Sequence, residues 1–189
     1  MPDKKVILFF VVAFSIITVI VLPCLLLIVT GAVSLDFCCF AVDSAGKLYV
    51  GKQSRIEVYD GGEMTGSFSA MTSRGYQFTI LDDDTILLST STVVYSMDLE
   101  GNVLDSWREN ASDISNQLYY RRASFVSADG DTYRCRNPFG WKRIVKNGET
   151  VVYQITGLSY AVKMLLGLSA ITFAILIVLL MLRELKQLR

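Results

Sequence analysis

Two stretches without a charged side chain constrain this sequence more than any other feature. Residues 6–35 carry no charge over 30 positions, and residues 164–182 carry none over 19. A helix of about 20 residues is long enough to cross a bilayer core of ~30 Å. Each stretch is therefore predicted to form a transmembrane helix, the first over residues 6–33 and the second over residues 160–182.

A cleavable signal peptide is the alternative for the first stretch. Lys4 and Lys5 precede the apolar run, and Ala32-Val33-Ser34 has the small-x-small form of a cleavage site. The apolar core of a signal peptide is usually ~7–15 residues long, which is about half the length found here. An uncleaved membrane anchor is therefore the preferred interpretation.

The basic residues at the two ends predict the orientation in the membrane. They precede the first span and follow the second, and they are Lys4, Lys5, Arg183, Lys186 and Arg189. Positive charge near a span favours the cytoplasmic side. We therefore expect a two-span protein of the cell membrane, with a cytoplasmic N-terminus at residues 1–5, an extracellular domain at residues 36–157 and a cytoplasmic basic tail at residues 183–189.

Composition excludes several classes of function. The chain has no histidine, which removes His-ligated zinc and His general bases. Residues 36–157 contain 12 basic and 16 acidic side chains, a net charge of −4, which argues against a nucleic-acid partner. We assign no cofactor and no enzymatic activity.

The central region contains three copies of one pattern, at residues 37–70, 76–107 and 123–156. Each copy consists of strand-sized runs separated by turn residues, and it predicts four short antiparallel strands. The first and last turns of a copy are separated by 16, 17 and 18 residues in the three copies. These turns are centred on Gly46 and Gly62, Asp84 and Gly101, and Gly130 and Gly148.

The first copy resembles the blades of NHL-type and related β-propellers. The residues that carry the resemblance are FAVDSAGKLYVG at positions 40–51 and IEVYD at positions 56–60. The resemblance implies a fold and no activity, because such blades occur in scaffolds, receptors and enzymes alike. Propellers close with ~4–8 blades, whereas this chain has three copies. Three copies leave strand edges without a neighbour, and three arrangements of the copies are then possible. They are a ring built from two chains, edges covered by a partner, or an open sandwich.

The expected fold class is thus a membrane protein in which two transmembrane α-helices flank an all-β domain. That domain consists of three four-stranded β-meanders that resemble propeller blades and form an incomplete or open propeller.

An insertion at residues 108–122 breaks the repeat, and its sequence predicts a capped helical turn or a surface loop. It contains the cluster Tyr119, Tyr120, Arg121 and Arg122. Irregular insertions in a repeat often serve recognition, so we assign this cluster as the candidate binding site. The alternative is a spacer with no role.

Two acidic turns are candidates for chemistry. Asp82, Asp83 and Asp84 are adjacent, and Asp129 and Asp131 occupy an equivalent turn. Carboxylates bind calcium, and a carboxylate pair can hydrolyse a glycoside. Aspartate is also common in ordinary turns, where it bonds to its own backbone. Neither turn has the spacing of a known calcium loop, so no metal ligand and no catalytic residue is assigned.

The cysteines leave one question open. Cys135 could pair with Cys38 or with Cys39 if the domain lies outside the cell, where disulfides persist. The alternative is that these residues are small buried side chains. Cys24 falls within the first apolar stretch.

Within the second apolar stretch, Ala170 and Ala174 form a small-xxx-small pair. Such a pair allows close helix packing, and it predicts that the two spans pack on each other.

Together these observations predict a membrane-anchored, non-enzymatic module that binds or senses another protein or a glycan, or serves as an accessory subunit. Its expected partners are the lipid bilayer and either a second protein or further copies of itself. Two alternatives are an extracytoplasmic hydrolase that uses the acidic turns and an assembly factor that pairs through open β-edges.

Overall fold

The structure, a computed structural model, describes residues 4–72, 75–127 and 129–187. The side chains of Lys4, Lys5, Lys186 and Arg189, on which the predicted orientation depends, lie outside the described side chains. The chain divides into two compact units. One contains Met1–Leu35 and Thr156–Arg189, and the other is Asp36–Ile155.

The first unit contains two long apolar helices, α1 at Lys4–Val29 and α3 at Gly157–Gln187. Their segments Leu8–Val29 and Gly157–Arg183 have mean hydropathies of 3.0 and 2.8 and are long and apolar enough to cross a membrane. Helix α1 ends four residues before the predicted boundary at residue 33, because Gly31 adopts the left-handed conformation typical of a helix C-terminus (φ 73°).

Helices α1 and α3 pack on each other, as expected, but through different residues. Cys24 and Val33 are buried with Val162 of α3, and the rings of Phe14 and Phe173 meet edge to face at 5.3 Å. The buried or contacting positions of α3 are spaced by three or four residues, as for one face of a helix, and are Val162, Leu166, Ser169, Phe173 and Leu176. Ala170 and Ala174 are exposed, so the predicted small-xxx-small contact is wrong.

The second unit contains three four-stranded antiparallel sheets, which confirms the predicted meanders. The strands of each sheet are ordered as they occur in the chain. The first sheet consists of β1 Phe40–Val42, β2 Leu48–Gly51, β3 Arg55–Asp60 and β4 Glu63–Ser69. The second consists of β5 Gln77–Ile80, β6 Ile86–Ser89, β7 Val94–Met97 and β8 Val103–Trp107. The third consists of β9 Ser124–Val126, β10 Thr132–Arg136, β11 Arg143–Lys146 and β12 Thr150–Gln154.

The turns repeat in geometry as well as in sequence. The Asp43 N–H donates to Lys47 O, and the Gly46 N–H donates to Asp43 O, each at 3.1 Å; the same pair of bonds recurs in residues 81–85 and 127–131. All six predicted turn positions have positive φ, namely Gly46, Gly62, Asp84, Gly101, Gly130 and Gly148. Five of these are glycine, which accepts this conformation without steric cost.

The first sheet lies between the other two. Its strand β1 contacts both β5 and β9, so the first strands of the three sheets meet. One face of this sheet, which includes Ala41, Tyr49 and Ile56, shares an apolar core with Phe78 and Leu88 of the second sheet. Alternate residues on the opposite face are buried as well, and they are Phe40, Val42, Leu48 and Val50.

The insertion forms a helix, α2, at Ala111–Arg121. It is longer than the single turn expected, and it lacks the expected cap, because Asn110 is left-handed (φ 53°) and its side chain makes no capping bond. Ala111 and Leu118, seven positions apart, are buried on one face. Helix α2 packs on β5 and β6, where the Ser89 hydroxyl donates to Ala111 O at 3.2 Å.

Candidate functional site

A cavity of about 380 Å³ opens where the first strands of the sheets meet the C-terminal end of α2. The three strands β1, β5 and β9 supply aromatic side chains to it, and α2 supplies a basic rim. Its lining consists of Phe40, Phe78, Thr79, Leu118, Arg121, Arg122, Ser124, Phe125 and Val126. The cavity falls within the range of about 300–1,000 Å³ that is typical of ligand pockets, and it combines apolar walls with a few polar groups.

The cluster predicted from the insertion is divided by the structure. Arg121 and Arg122 line the cavity, whereas Tyr119 and Tyr120 do not. The Arg122 guanidinium lies 3.6 Å from the centre of the Tyr119 ring and donates to the Tyr119 hydroxyl at 2.9 Å. Tyr120 meets Tyr119 edge to face at 5.9 Å and is 83% exposed. The two tyrosines thus extend the basic rim outward and hold one of its arginines in place.

A second, smaller cavity of about 90 Å³ lies further along the same three strands. It shares Phe125 and Val126 with the larger one. Its rim is acidic, because Asp43, Asp82 and Asp84 line it. The two cavities therefore present opposite charges, with arginines beside α2 and carboxylates beside the first turns of the first two sheets.

Asp84 joins two of the repeats. Its carboxylate accepts the backbone N–H of Ser44 at 2.8 Å and the Ser44 hydroxyl at 2.5 Å. Asp84 has φ 61° at the position where the other two repeats have Gly46 and Gly130. An aspartate in this conformation costs free energy, and the two bonds to the neighbouring turn offset that cost.

Two further acidic turn residues, Asp83 and Asp131, have partners within their own repeat. Asp83 accepts the Thr85 N–H at 3.0 Å, and this bond lowers the pKa of the carboxyl. Asp131 pairs with Lys146 at 2.5 Å and accepts from Asn147 at 2.8 Å, which lowers its pKa as well. A general acid for glycoside hydrolysis needs a raised pKa, so neither Asp83 nor Asp131 is suited to that one role. Among the described residues, no three acidic or cysteine side chains come together as a metal site.

A buried charged cluster was missed by the sequence analysis. Lys52 and Glu57 of the first sheet are 8% and 5% exposed, and their charged groups lie 3.7 Å apart. The Lys52 ammonium donates to the hydroxyl of Tyr153, which belongs to the third sheet and lies 101 residues along the chain. Glu57 also accepts from the Arg55 guanidinium at 2.6 Å and from the Tyr59 hydroxyl at 2.8 Å. This cluster, Lys52, Arg55, Glu57, Tyr59 and Tyr153, joins the first and third sheets.

Burial sets the ionisation of this cluster. It lowers the pKa of Lys52, and the nearby Glu57 carboxylate opposes that shift. It raises the pKa of Tyr59 and of Tyr153, and the bond from Tyr59 to Glu57 adds to the shift of Tyr59. The two tyrosines therefore satisfy the buried ion pair as neutral groups, Tyr59 by donating to Glu57 and Tyr153 by accepting from Lys52. The only signal in the sequence was the alternation of Arg55 and Glu57 with apolar residues, which is equally typical of a strand face in water.

All four cysteines, each within the described part of the chain, are free thiols. The Sγ atoms of Cys38 and Cys39 lie 3.2 Å apart and share a hydrogen bond, which lowers the pKa of Cys38, while burial raises the pKa of Cys39. Burial also raises the pKa of the Cys135 thiol. Cys24 and Cys39 are buried, whereas Cys38 and Cys135 are half-buried, so the interpretation as buried small residues fits two of the four.

Comparison with known proteins yields distant structural likenesses and no family. No protein-family model matches the chain, and no curated protein matches it. The structure is similar to a protein of unknown function from Bacteroides caccae at 12% identity and a TM-score of 0.32. The match covers 64% of this chain and 46% of that one.

Proposed function

We propose that this protein is a membrane-anchored binding module whose ligand is an acidic segment of another protein, seated against Arg121 and Arg122. The observation that carries the proposal is the cavity of about 380 Å³ in which these arginines face Phe40, Phe78 and Phe125. Apolar walls supply contact area, and a small number of polar groups orient the ligand.

The chemistry of the rim favours a carboxylate. Guanidinium groups bind carboxylates through two parallel hydrogen bonds, a geometry that gives orientation as well as affinity. The exposed Tyr120 ring beside them is a typical anchor of a protein interface, where arginine and tyrosine are enriched. The carboxylate of an acidic sugar would bind the same arginines. Binding of a glycan would therefore change the class of the proposed ligand from a protein to a sugar.

The membrane attachment rests on α1 and α3. Both contain segments that are long and apolar enough to cross a bilayer, and the sheets lie between them in the chain. If both helices span, their connection places the entire β-domain on one side. The basic residues near the chain ends favour the cytoplasm for the termini, and the domain is then extracellular.

Site-specific photocrosslinking in the producing cells tests the binding site. A photoreactive phenylalanine at position 120, whose tyrosine is 83% exposed, is expected to give adducts of defined mass with one protein. The same group at position 104, where Leu104 of β8 is 62% exposed, serves as the matched control. We expect the paired change Arg121→Ala and Arg122→Ala to reduce the adduct by about tenfold or more, because truncated anchors cost ~2 kcal/mol.

The variant Arg108→Ala controls for lost charge, because Arg108 is exposed just before α2 and does not line the cavity. Equal adducts at positions 104 and 120, or adducts that survive loss of both arginines, would contradict the proposal. Adducts between two copies of this chain would show that the partner is a second copy of the chain. The two copies would then be joined beside α2 or at the outer strands β4, β8 and β12. Binding of an acidic glycan to the purified chain, with no protein adduct, would replace the protein ligand by a sugar.

A further inference from the structure

We propose that the loop between β10 and β11 inserts Phe139 into the headgroup region of the bilayer that carries α3. This inference rests on the proposed membrane attachment and adds a second, peripheral contact of the β-domain with lipid. It concerns residues 137–142, which no part of the proposed ligand site uses.

Phe139 is held outward by its backbone. Its side chain is 95% exposed, and it has φ 51° between Pro138 and Gly140, the latter with φ 82°. A bulky residue in the left-handed region is a conformational outlier that the surrounding structure must maintain. The loop therefore keeps an aromatic ring in an exposed position at a conformational cost.

The base of the loop is fixed to the end of the β-domain that leads into α3. The Trp141 N–H donates to Pro138 O at 2.9 Å, and the Trp141 indole N–H donates to Ile155 O at 3.1 Å. The Ile155 N–H in turn donates to Lys142 O at 3.1 Å. Ile155 precedes the first residue of α3, Gly157, by two positions, which an extended chain spans in about 7 Å. A span that begins at Gly157 therefore keeps Trp141 within reach of the membrane surface.

The same loop is tied to the connection with α1. The Lys142 ammonium pairs with the Asp36 carboxylate at 2.8 Å and donates to Phe37 O at 2.6 Å. Asp36 is the first residue of the β-domain after the α1 segment. Both chain connections to the apolar helices thus converge on the loop that carries Phe139.

The local charge suits lipid phosphates. Residues 132–146 contain five basic side chains and no acidic one, although residues 36–157 as a whole have a net charge of −4. The five are Arg134, Arg136, Lys142, Arg143 and Lys146. Lys142 and Lys146 are paired with carboxylates, whereas Arg134 and Arg136 of β10 are exposed. Basic residues attract anionic headgroups, and aromatic rings prefer the boundary between headgroups and acyl chains. A protein partner could meet an exposed phenylalanine too, but the short covalent link to α3 favours the bilayer.

Fluorescence quenching of the full-length chain in phosphatidylcholine–phosphatidylglycerol nanodiscs tests this contact. Trp107→Phe and Trp141→Phe remove both native tryptophans, and one tryptophan is then introduced by Phe139→Trp or, as the control, by Tyr120→Trp on α2. Lipids brominated near the headgroup are expected to quench the first chain about twofold or more and the control only slightly, because quenching requires contact with lipid. If the doubly substituted background does not fold, the native Trp141 in a Trp107→Phe chain is the probe.

The outcomes separate the two proposals. Equal quenching at positions 139 and 120, in chains that float with lipid, would overturn the loop insertion and leave the membrane attachment standing. Chains that do not float with lipid at all would overturn the attachment itself, and the loop proposal with it.

Discussion

The first sheet is packed differently on its two sides. Toward the second sheet it presents Tyr49, Ile56 and other apolar residues, in a continuous core with Phe78 and Leu88. Its opposite face also buries apolar residues, but there the Lys52–Glu57 pair is added to them and is closed off by the hydroxyl of Tyr153 from the third sheet. Apolar packing stabilises in proportion to the area buried, whereas a buried ion pair must first offset the desolvation of its charges. Apolar burial therefore supplies stability on both sides, whereas the ion pair fixes the relative position of the first and third sheets at a net cost or near balance.

The largest expected effect comes from breaking the ion pair on one side only. Glu57→Leu leaves the Lys52 ammonium buried without a carboxylate and is expected to lower the free energy of unfolding by about 3–5 kcal/mol. Adding Lys52→Met removes the unpaired charge and is expected to restore most of that loss. Urea unfolding of the full-length chain in detergent, followed by tryptophan fluorescence, measures both values.

Glu63→Leu, on the exposed strand β4, is the matched control and should change stability by less than about 0.5 kcal/mol. If the double variant is as unstable as Glu57→Leu alone, the ion pair contributes stability of its own. The proposed difference between the two sides of the first sheet would then be wrong.

A smaller loss is expected from a cavity in the apolar interface. Leu88 has no exposed surface, and Leu88→Ala is expected to cost about 3 kcal/mol through lost burial and the space left behind. Leu104→Ala, at a position 62% exposed, should cost less than about 0.5 kcal/mol.

The two tryptophans sharpen this test, because Trp107 belongs to the second sheet and Trp141 lies beside the third. Since the first sheet contacts both others, we expect Trp107→Phe and Trp141→Phe chains to report the same shift on Leu88→Ala. A shift seen by Trp107 alone would mean that the two interfaces unfold independently.

The smallest expected effect concerns alkaline pH. Burial raises the pKa of Tyr49 and Tyr76 in the apolar interface and of Tyr59 and Tyr153 in the polar one. A tyrosine whose pKa is higher in the folded than in the unfolded chain contributes its full stability below the unfolded pKa of about 10. This contribution is lost as pH rises above that value. Lys52 acts in the opposite direction, because its lowered pKa makes stability rise with pH up to about 10.4.

The domain is therefore expected to unfold above about pH 10, with phenolate absorbance and loss of tryptophan signal appearing together. Tyr49→Phe removes one of the four groups and should raise the midpoint by a fraction of one pH unit, while the exposed Tyr120→Phe should leave it unchanged. Phenolate absorbance that develops fully before unfolding would show that these hydroxyls are accessible in the folded domain.

Most of the fold could be predicted because it follows from local rules. Runs without charge predicted the apolar helices, and glycine or aspartate at six turn positions predicted where the strands end, since positive φ is accessible to few residues. The length of α2 was underestimated, because its helical face is supported by packing on β5 and β6 rather than by a cap at Asn110.

The candidate site was predicted only in part. Arg121 and Arg122 were identified from their position in an insertion, but their separation from Tyr119 and Tyr120 depends on how α2 lies against the first strands. Phe139 gave no signal, because an exposed phenylalanine and a buried one look alike in a sequence.

The amino-acid sequence by itself determined the two apolar segments, the three repeats and their turns, because each depends on residues that are neighbours in the chain. The tertiary structure alone decided that Glu57 is buried and that Lys52 meets Tyr153 across 101 residues. Alternating residues in a strand indicate that the strand has two faces. Whether one face or both are buried depends on which other sheets pack against it, and those contacts are made between distant parts of the chain.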